Sequence, residues 1–409
     1  MTLSEPDRVV LNGSPPSGWR RAKLSEVCEI NPPRPALSRA DSEPTTFVPM
    51  AAVDEGQGVI VGSMLRPFGE VRKGYTYFQE GDVLFAKITP CMQNGKHAIA
   101  RGLLGSYGFG TTEFHVIRPR NGILPEWVHF FVRRPDVLEA ATAQFVGTAG
   151  QQRLPEDYLA QLEISLPPLS EQTRIVGMLK GYLETITRAE AATEAQLEAV
   201  KALQMVFLRK TFSDVLSRGC PRKLLGDLCD LVNGDAYRET DWSQSGLPII
   251  RIQNLNDPSK PYNHWAGPVG NRVQVKEGDL LLAWSGTPGT SFGAHIWKGE
   301  KGLLNQHIFR VDIDQQEISA YWLMLAVNEQ LDVLIRKSHG GVGLRHVTRK
   351  EVESLRIALP PIKEQNDIVT KLMDAFGAID TLMHHTREQL SGIQALLGSL
   401  LQAAFAGRM

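Results

Sequence analysis

The sequence predicts an α+β protein: two globular mixed α/β domains joined by two long antiparallel coiled-coil helices, with a pseudo-twofold internal repeat. Three features of its 409 residues point to this fold. The chain repeats itself, each repeat ends in a segment with helical apolar spacing, and the remainder consists of short β-rich runs between turn residues. The repeat indicates the order of the segments along the chain, a globular domain followed by a long helix and then the same pair again.

The repeat is clearest in one motif. Leu166–Gln172 (LPPLSEQ) recurs 193 positions later as Leu359–Gln365 (LPPIKEQ), and the match continues without a gap as far as Phe212 and Phe405. A register kept over that length does not arise by chance. Further upstream the offset drifts, as expected for loops of different length. The upstream matches pair Leu24–Ile30 with Leu225–Leu231, and Glu80–Ala86 with Glu277–Ala283.

The segment that ends each repeat has the pattern of a long helix. Apolar residues recur in steps of three and four, from Ile175 to Phe207 and again from Ile368 to Leu400, which is typical of a helix with one apolar seam. Ser170 can cap the first of them. Thirty-odd residues span roughly 50–60 Å, too far to be buried inside one domain. The matching seams therefore favour antiparallel pairing of the two helices.

The globular parts carry short strands and helices. Their β-rich runs lie between Gly, Pro and Asn turns, and two apolar runs have the period of short amphipathic helices. The β-rich runs are Tyr75–Phe78, Asp82–Ala86 and Phe114–Ile117, and the helical runs are Pro125–Val132 and Ile318–Leu325. We predict four segments: a first domain at 1–169, a central spacer helix at 170–213, a second domain at 214–362 and a C-terminal spacer helix at 363–409.

Composition narrows the class of protein. A net charge of −1 argues against a protein that holds nucleic acid by bulk charge alone, although a local basic face stays possible. The four cysteines have no zinc-ligand spacing and are typical of reduced thiols. The N-terminal residues lack the order of a signal peptide, and no apolar run is long enough for a membrane span. We expect a cytoplasmic protein.

A search for catalytic motifs gives one weak candidate. Asn31–Arg34 (NPPR) is similar to the loop by which amino-methyltransferases hold a flipped base, but Arg34 stands where that loop needs an aromatic ring. The alternative is a rigid turn after the first strand. A glycine-rich run at Ser285–Thr290 lacks the lysine of a phosphate-binding loop. We predict no catalytic residue and no metal site.

The remaining polar clusters predict binding. The loop after the Asp82–Ala86 strand and the loop ending at Arg153 concentrate amide, hydroxyl and cationic groups, and both have counterparts in the second half. Such loops can also be plain surface turns, and their recurrence in both halves favours nucleic-acid binding. The candidate DNA-binding residues are Tyr75, Lys87, Thr89, Gln93, Asn94, Lys96, Gln151, Gln152 and Arg153 in the first domain, and Arg251, Gln253, Asn254, Trp284, Ser285, Thr287, Arg345 and His346 in the second.

These residues resemble a known family. Two Leu-Pro-Pro-x-x-Glu-Gln motifs, each opening a long helix behind a diverged domain, are similar to the specificity subunits of type I restriction–modification enzymes. The resemblance covers essentially the whole chain and includes the Glu-Gly-Asp strands and the ending Leu400–Gly407 (LLQAAFAG).

The resemblance implies a division of labour. The two domains would be target-recognition domains, each reading one half of a bipartite double-stranded DNA sequence, and the helices would fix the gap between the halves. Two modification (methyltransferase) subunits would dock on the helices, and restriction (translocase/nuclease) subunits would join them. S-adenosylmethionine, ATP and Mg are then expected on those partners, with no cofactor in this chain. Candidate partner contacts are Glu171, Gln172, Glu364 and Gln365.

Two alternatives stay open. One is an amino-methyltransferase fused to recognition domains, which the missing methyl-donor loop and Arg34 disfavour. The other is a duplicated protein–protein scaffold that does not bind DNA, which the low net charge favours. Salt-dependent DNA binding would separate the scaffold from the DNA reader, and crosslinking of the methyl donor to the isolated chain would test the methyltransferase.

Overall fold

The computed structural model describes residues 15–148, 151–257, 259–286, 292–337 and 345–409. The chain divides into two compact units. The first unit contains the chain up to Ala195 together with Arg387–Met409, and the second contains Gln196–Thr386. Both long helices are cut by this division, so each unit combines a globular part with a portion of each helix.

The first unit is built from short strands and helices. Its strands are β1 (Arg20–Lys23), β2 (Cys28–Ile30), β3 (Pro44–Val48), β4 (Val53–Asp54), β5 (Val59–Ile60), β6 (Met64–Pro67), β7 (Thr76–Gln79), β8 (Val83–Ala86), β9 (His97–Ile99), β10 (Tyr107–Gly110), β11 (Phe114–Pro119) and β12 (Glu163–Leu166). Its short helices are α1 (Leu24–Val27), α2 (Phe68–Val71), α3 (Pro125–Val132), α4 (Pro135–Thr142) and α5 (Glu156–Gln161), with a 3-10 turn at Met50–Ala52. The long helix α6 (Leu169–Ser217) follows.

The second unit repeats this order. Its strands are β13 (Arg222–Leu224), β14 (Cys229–Asn233), β15 (Leu247–Ile250), β16 (Asn263–Trp265), β17 (Gln274–Val275), β18 (Leu280–Ala283), β19 (Ser285–Gly286), β20 (Gly293–Ile296), β21 (Gly302–Leu304), β22 (Ile308–Ile313), β23 (Arg345–His346) and β24 (Arg356–Ala358). Its short helices are α7 (Ile252–Asn256), α8 (Ala320–Glu329), α9 (Leu331–Lys337) and α10 (Arg349–Glu353), with 3-10 turns at Leu225–Asp227, Glu239–Asp241 and Asn271–Val273. The long helix α11 (Ile362–Phe405) ends it.

Sheet topology confirms the repeat. The first unit has two four-stranded sheets, ordered β2-β11-β8-β9 and β6-β3-β10-β7, and the second has β14-β22-β18-β20 and β16-β15-β21-β17. In each unit the second of these sheets contains one parallel pair, β3 with β10 and β15 with β21. Both units are therefore mixed α/β, as predicted.

The Glu-Gly-Asp motif is a turn that opens the central strand of one sheet in each unit. Gly81 and Gly278 have φ of +87° and +90°, a conformation that glycine adopts without steric cost. The next residue closes the turn, since Asp82 Oδ2 accepts the N–H of Gln79 at 2.7 Å and Asp279 Oδ2 accepts that of Lys276 at 2.9 Å. The motif recurs because β8 in the first unit and β18 in the second both enter the core directly after this turn.

The long helices pair antiparallel within each unit. In the second unit, Gln204 Nε2 donates to Asp380 Oδ1 at 2.8 Å and Arg218 Nη1 lies 3.2 Å from Glu364 Oε1, so residue numbers rise on α6 as they fall on α11. In the first unit, Arg174 of α6 donates to the Met409 carbonyl at 2.7 Å, just past the end of α11. The predicted antiparallel pair is confirmed.

An aromatic contact joins the helix ends to each core. In the first unit, Phe405 of α11 packs on Trp127 of α3 with ring centroids 4.3 Å apart. In the second unit, Phe212 of α6 packs on Trp322 of α8 at 4.6 Å. The indole N–H groups donate to the carbonyls of Ser165 (3.0 Å) and Ala358 (2.8 Å), which stand at equivalent repeat positions.

The glutamine that ends each repeated motif has a structural role. Gln172 is 1% exposed; its Oε1 accepts the Leu124 N–H at 3.0 Å, and its Nε2 donates to the carbonyls of Gly122 (3.2 Å) and Pro167 (3.1 Å). Gln365 is fully buried and makes the same three bonds in the second unit, to Ser319 N–H, Glu317 O and Pro360 O. Each glutamine ties the start of a long helix to the segment that leads into α3 or α8.

This clamp gives a prediction about stability. Gln172→Leu should lower the free energy of unfolding of the first unit by about 2–4 kcal/mol, because it leaves the Leu124 N–H, the Gly122 carbonyl and the buried Pro167 carbonyl without their side-chain partner. Hydrogen exchange of the α3 amides would measure the loss. Glu184→Leu, on an exposed position of α6 in the first unit, is the control and should change stability by less than about 0.5 kcal/mol. Equal effects of the two substitutions would contradict the clamp.

Candidate nucleic-acid interface

Two loops meet at one edge of the first unit, and we call 87–96 and 146–153 the first loop pair. The Thr89 N–H donates to the Gln152 carbonyl at 3.0 Å, Leu154 N–H donates to the Lys87 carbonyl at 2.9 Å, and Ile88 forms a β-bridge with Arg153. The sequence predicted contacts on both loops, and the structure brings them together. Gln93, Asn94 and Gln151 are exposed on this pair.

The second unit contains the same arrangement, formed by 284–286 and 345–346, which we call the second loop pair. Ser285 pairs with His346 in a two-stranded sheet, and Val347 N–H donates to the Trp284 carbonyl at 3.0 Å. By these bonds Trp284 takes the place of Lys87, and His346 that of Arg153. Thr287 lies outside the described residues, as do the side chains of Arg345 and His346.

Arg153 is held by a carboxylate. Its Nε and Nη2 donate to the two oxygens of Glu113 at 2.8 and 2.7 Å, and its Nη1 donates to the Gln151 carbonyl at 3.0 Å. Hydrogen bonds from Arg153 lower the pKa of Glu113, so the carboxylate stays ionised at neutral pH. The backbone of Glu113 accepts the Lys87 N–H at 2.9 Å, which places this ion pair beside Lys87.

A basic cavity of about 500 Å³ opens next to the first loop pair. Its lining contains four cations and no carboxylate. Tyr75, predicted as a contact, stands at this cavity with its ring edge-on to Phe47 at 4.9 Å. The cationic lining residues are Arg34, Arg72, Lys73 and Lys87. Such a lining attracts anionic oxygens, and phosphate is the anion that a nucleic acid presents.

Asn31 lines the cavity, and its side-chain amide forms hydrogen bonds with other groups of the protein. Its Oδ1 accepts the Val116 N–H at 2.9 Å, and its Nδ2 donates to Glu156 Oε2 at 2.7 Å and lies 3.0 Å from His115 Nδ1. Burial lowers the pKa of His115, whose Nε2 lies 2.9 Å from the Leu154 carbonyl. The geometry favours the rigid-turn interpretation, because the Asn31 amide is committed to neighbouring residues.

Two of the predicted contact residues, Asn254 and Lys96, form bonds within the protein. Asn254 is fully buried, where its Oδ1 accepts the Arg251 N–H at 3.1 Å and its Nδ2 donates to the Lys260 carbonyl at 3.2 Å. Lys96 turns back to the Val53 carbonyl at 2.9 Å and lies 3.6 Å from Glu55. The burial of Asn254 therefore argues against a contact with a base. The bonds of Lys96 to Val53 and Glu55 argue against a contact between Lys96 and a phosphate.

Three of the other second-unit candidates, Arg251, Gln253 and Trp284, are partly accessible. Arg251 lies over the Trp242 ring at 5.6 Å, and Gln253 next to it is half-buried on α7. Trp284 stacks on Phe309 at 5.6 Å and is half-buried, whereas Ser285 is buried. Arg251 and Gln253 follow β15, in a different sheet from the second loop pair.

The predicted partner contacts divide into two kinds. The burial of Gln172 and Gln365 argues against their contacting a partner. Glu171 is paired with Arg174 at 2.7 Å and Glu364 with Arg218 at 3.2 Å, and both carboxylates are half-exposed. Glu171 and Glu364 stay predictions for docking.

Sequence reasoning missed three residues of the candidate interface. Arg72 and Lys73 line the cavity, and Glu113 fixes Arg153. The basic pair Arg72-Lys73, separated from Tyr75 by Gly74 alone, is a sequence feature that points to this cavity. No local sequence feature marks Glu113, because only the pairing of β8 with β11 brings it next to Lys87 and Arg153.

The described residues show neither a metal cluster nor a membrane helix. No group of three or more His, Cys, Asp or Glu among them could hold a metal ion. No described helix has both the length and the apolarity that a membrane crossing requires. Burial raises the pKa of Cys28 and of its repeat counterpart Cys229 to about 12, so both thiols stay protonated and unreactive at neutral pH.

Comparison with known proteins gives three informative relatives. The type I restriction enzyme EcoEI specificity subunit of Escherichia coli is 35% identical over 189 residues, which are 46% of this chain and 32% of that relative. This chain thus spans about a third of the length of that relative. A chain solved in work on complex assembly and conformational transition of the type I R-M system has a TM-score of 0.79 at 20% identity, covering 97% of this chain and all of that one.

The third relative is the HsdS subunit from Thermoanaerobacter tengcongensis, with a TM-score of 0.61 at 21% identity over 97% of this chain and 99% of the other. At such identities the two solved structures show a shared fold. A family model described as the type I restriction modification DNA specificity domain matches residues 16–199 and 222–391, most of the chain and both repeats. The chain therefore belongs to the family of the type I restriction modification DNA specificity domain.

Proposed function

We propose that this chain is the DNA-specificity subunit of a type I restriction–modification complex, in which each unit reads one half of a bipartite target. The observation that carries the proposal is the loop pair, built by the same backbone bonds in both units but with different side chains. Lys87 and Arg153 on the first pair correspond to Trp284 and His346 on the second. One scaffold that presents two different sets of side chains suits two different half-sites.

The two kinds of contact would have separate places in the first unit. The cavity cations Arg34, Arg72 and Lys73 would hold backbone phosphates, which position a protein on DNA without reading sequence. The polar tips of the loop pair would reach base edges. The net charge of −1 fits this division, because the cations that would hold phosphate are local to one cavity while the chain as a whole is nearly neutral.

Catalysis in this proposal belongs to partners. Two modification subunits would dock on the long helices and bring S-adenosylmethionine, and restriction subunits would bring the ATP- and Mg-dependent translocase and nuclease. Glu171 and Glu364, half-exposed at the two helix starts, are the proposed docking contacts. The chain itself would be a non-catalytic cytoplasmic subunit.

Methylation sequencing tests the proposal. The complex of this chain with its modification subunits should place N6-methyladenine in a split motif, with two short defined halves and a fixed undefined gap. Modification subunits without this chain are the control and should leave no such motif. If the assembled complex is shown to form and marks no new motif, the protein–protein scaffold is favoured. Crosslinking of S-adenosylmethionine to this chain alone would instead favour the fused methyltransferase.

A further inference from the structure

We propose that Arg153 reads a guanine in the half-site of the first unit, and that Glu113 positions it for that contact. The inference rests on the proposed function and adds a base identity to one of its half-sites. The first step is the placement of Arg153. It stands on the first loop pair, bridged to Ile88 and next to Lys87, and its side chain is 43% exposed.

The number of N–H donors on Arg153 bears on what this side chain can bind. An arginine has five N–H groups. Two of those on Arg153 go to the Glu113 carboxylate and one goes to the Gln151 carbonyl. Among the described residues the other two N–H groups have no partner and are left for a ligand, and the bonds to Glu113 already fix the plane in which they lie. Guanine offers two acceptors, O6 and N7, on its major-groove edge, which is the pattern that a bidentate arginine reads.

The ion pair between Arg153 and Glu113 favours one kind of ligand over another. A guanidinium paired in bidentate fashion with a carboxylate has little net charge, and the Glu113 oxygens would repel a phosphate brought close to them. A base edge is neutral and lacks that penalty. Phosphates have a better site nearby, in the cavity whose described lining has four cations, of which one, Arg72, is paired with Asp41 at 3.2 Å. The ion pair therefore favours a base over a phosphate as the partner of Arg153.

The test compares methylation motifs of reconstituted complexes on DNA with randomised half-sites. Exchange of residues 214–358 for those of another specificity subunit identifies the half read by the second unit, so the remaining half belongs to the first. Wild type should require a G·C pair there. Arg153→Ala should lower discrimination at that pair roughly 5- to 150-fold, since it removes both donors, and Arg153→Gln should shift the preference toward an A·T pair, because a glutamine amide matches N6 and N7 of adenine. The other half-site should stay unchanged, which also shows that the variants fold.

Arg101→Ala is the matched control, because Arg101 is an exposed arginine of the same unit, paired with Glu126 at 2.8 Å, that lies off the loop pair. Its motif should equal that of wild type. A first half-site without a G·C pair would overturn the inference and leave the proposed function intact. So would an Arg153→Ala motif identical to wild type, which would indicate that Arg153 reads no base. If wild type marks no split motif at all, the proposed function fails and the inference fails with it.

Discussion

Exchange of residues 214–358 for the corresponding residues of another specificity subunit should replace the second half of the DNA target completely and leave the first half unchanged. The exchanged stretch carries the whole second loop pair and both strands of the β13–β24 pair, so the backbone bonds that form the interface move together. The first loop pair lies entirely outside it. Sequencing of methylated adenines in cells that carry the chimera measures the result.

The chimera succeeds only if the core contacts across its ends are kept. Trp322 lies inside the exchanged stretch and packs on Phe212 outside it, and Gln365 outside it bonds to Glu317 and Ser319 inside it. A donor with tryptophan at the position of Trp322 is therefore the matched choice. A changed first half-site would show that both units contribute to each half, and would contradict the assignment of one half to each unit.

Trp322→Ala should lower the free energy of unfolding of the second unit by about 3–5 kcal/mol, as removal of a large aromatic side chain from a packed core usually does. Trp322 is fully buried, packs on Phe212, and its indole N–H donates to the Ala358 carbonyl at 2.8 Å. Because the chain has two units, the loss is best read from hydrogen exchange of each unit separately. Amides of the second unit should lose protection.

Tyr321→Ala is the control for this substitution. Tyr321 is the neighbouring aromatic residue on α8 and is 39% exposed, so its removal should cost less than about 0.5 kcal/mol. Trp127→Ala should have the large effect in the first unit, where Trp127 packs on Phe405. Uniform loss of protection along α8 for both Trp322→Ala and Tyr321→Ala would show that this helix, and not its core contact, determines stability.

The elements that the sequence predicted well are those with strong periodicity. The helix predicted at 170–213 is observed at Leu169–Ser217, and the short helix at Pro125–Val132 has the bounds that its apolar pattern indicated. The seam was right over most of α6 and wrong near its end. Phe207 was placed on the buried face but is 45% exposed, whereas Leu208 is buried. A repeat of 3.5 drifts against the 3.6 residues of a helical turn, so the error grows along the helix.

The candidate site was predicted less completely, because it depends on long-range pairing. Both loops of each pair were identified from the repeat, yet nothing local showed that 87–96 meets 146–153. Gln172 and Gln365 show a second limit. Their recurrence favoured a shared docking surface, and the structure uses them as buried clamps. A repeat marks residues that both halves need and does not separate a structural need from a binding one.

The closing contact of each core has a consequence for how such a chain could have originated. Each repeat contains a receiving tryptophan and a donated phenylalanine, but Trp127 receives Phe405 and Phe212 goes to Trp322. This is an exchange of identical elements, of the kind seen in domain-swapped dimers. Two separate copies of an ancestral repeat could complete each other in the same way, at a concentration-dependent cost. Fusion of the two genes removes that dependence, and it frees the two interfaces to diverge while the exchanged contact is kept.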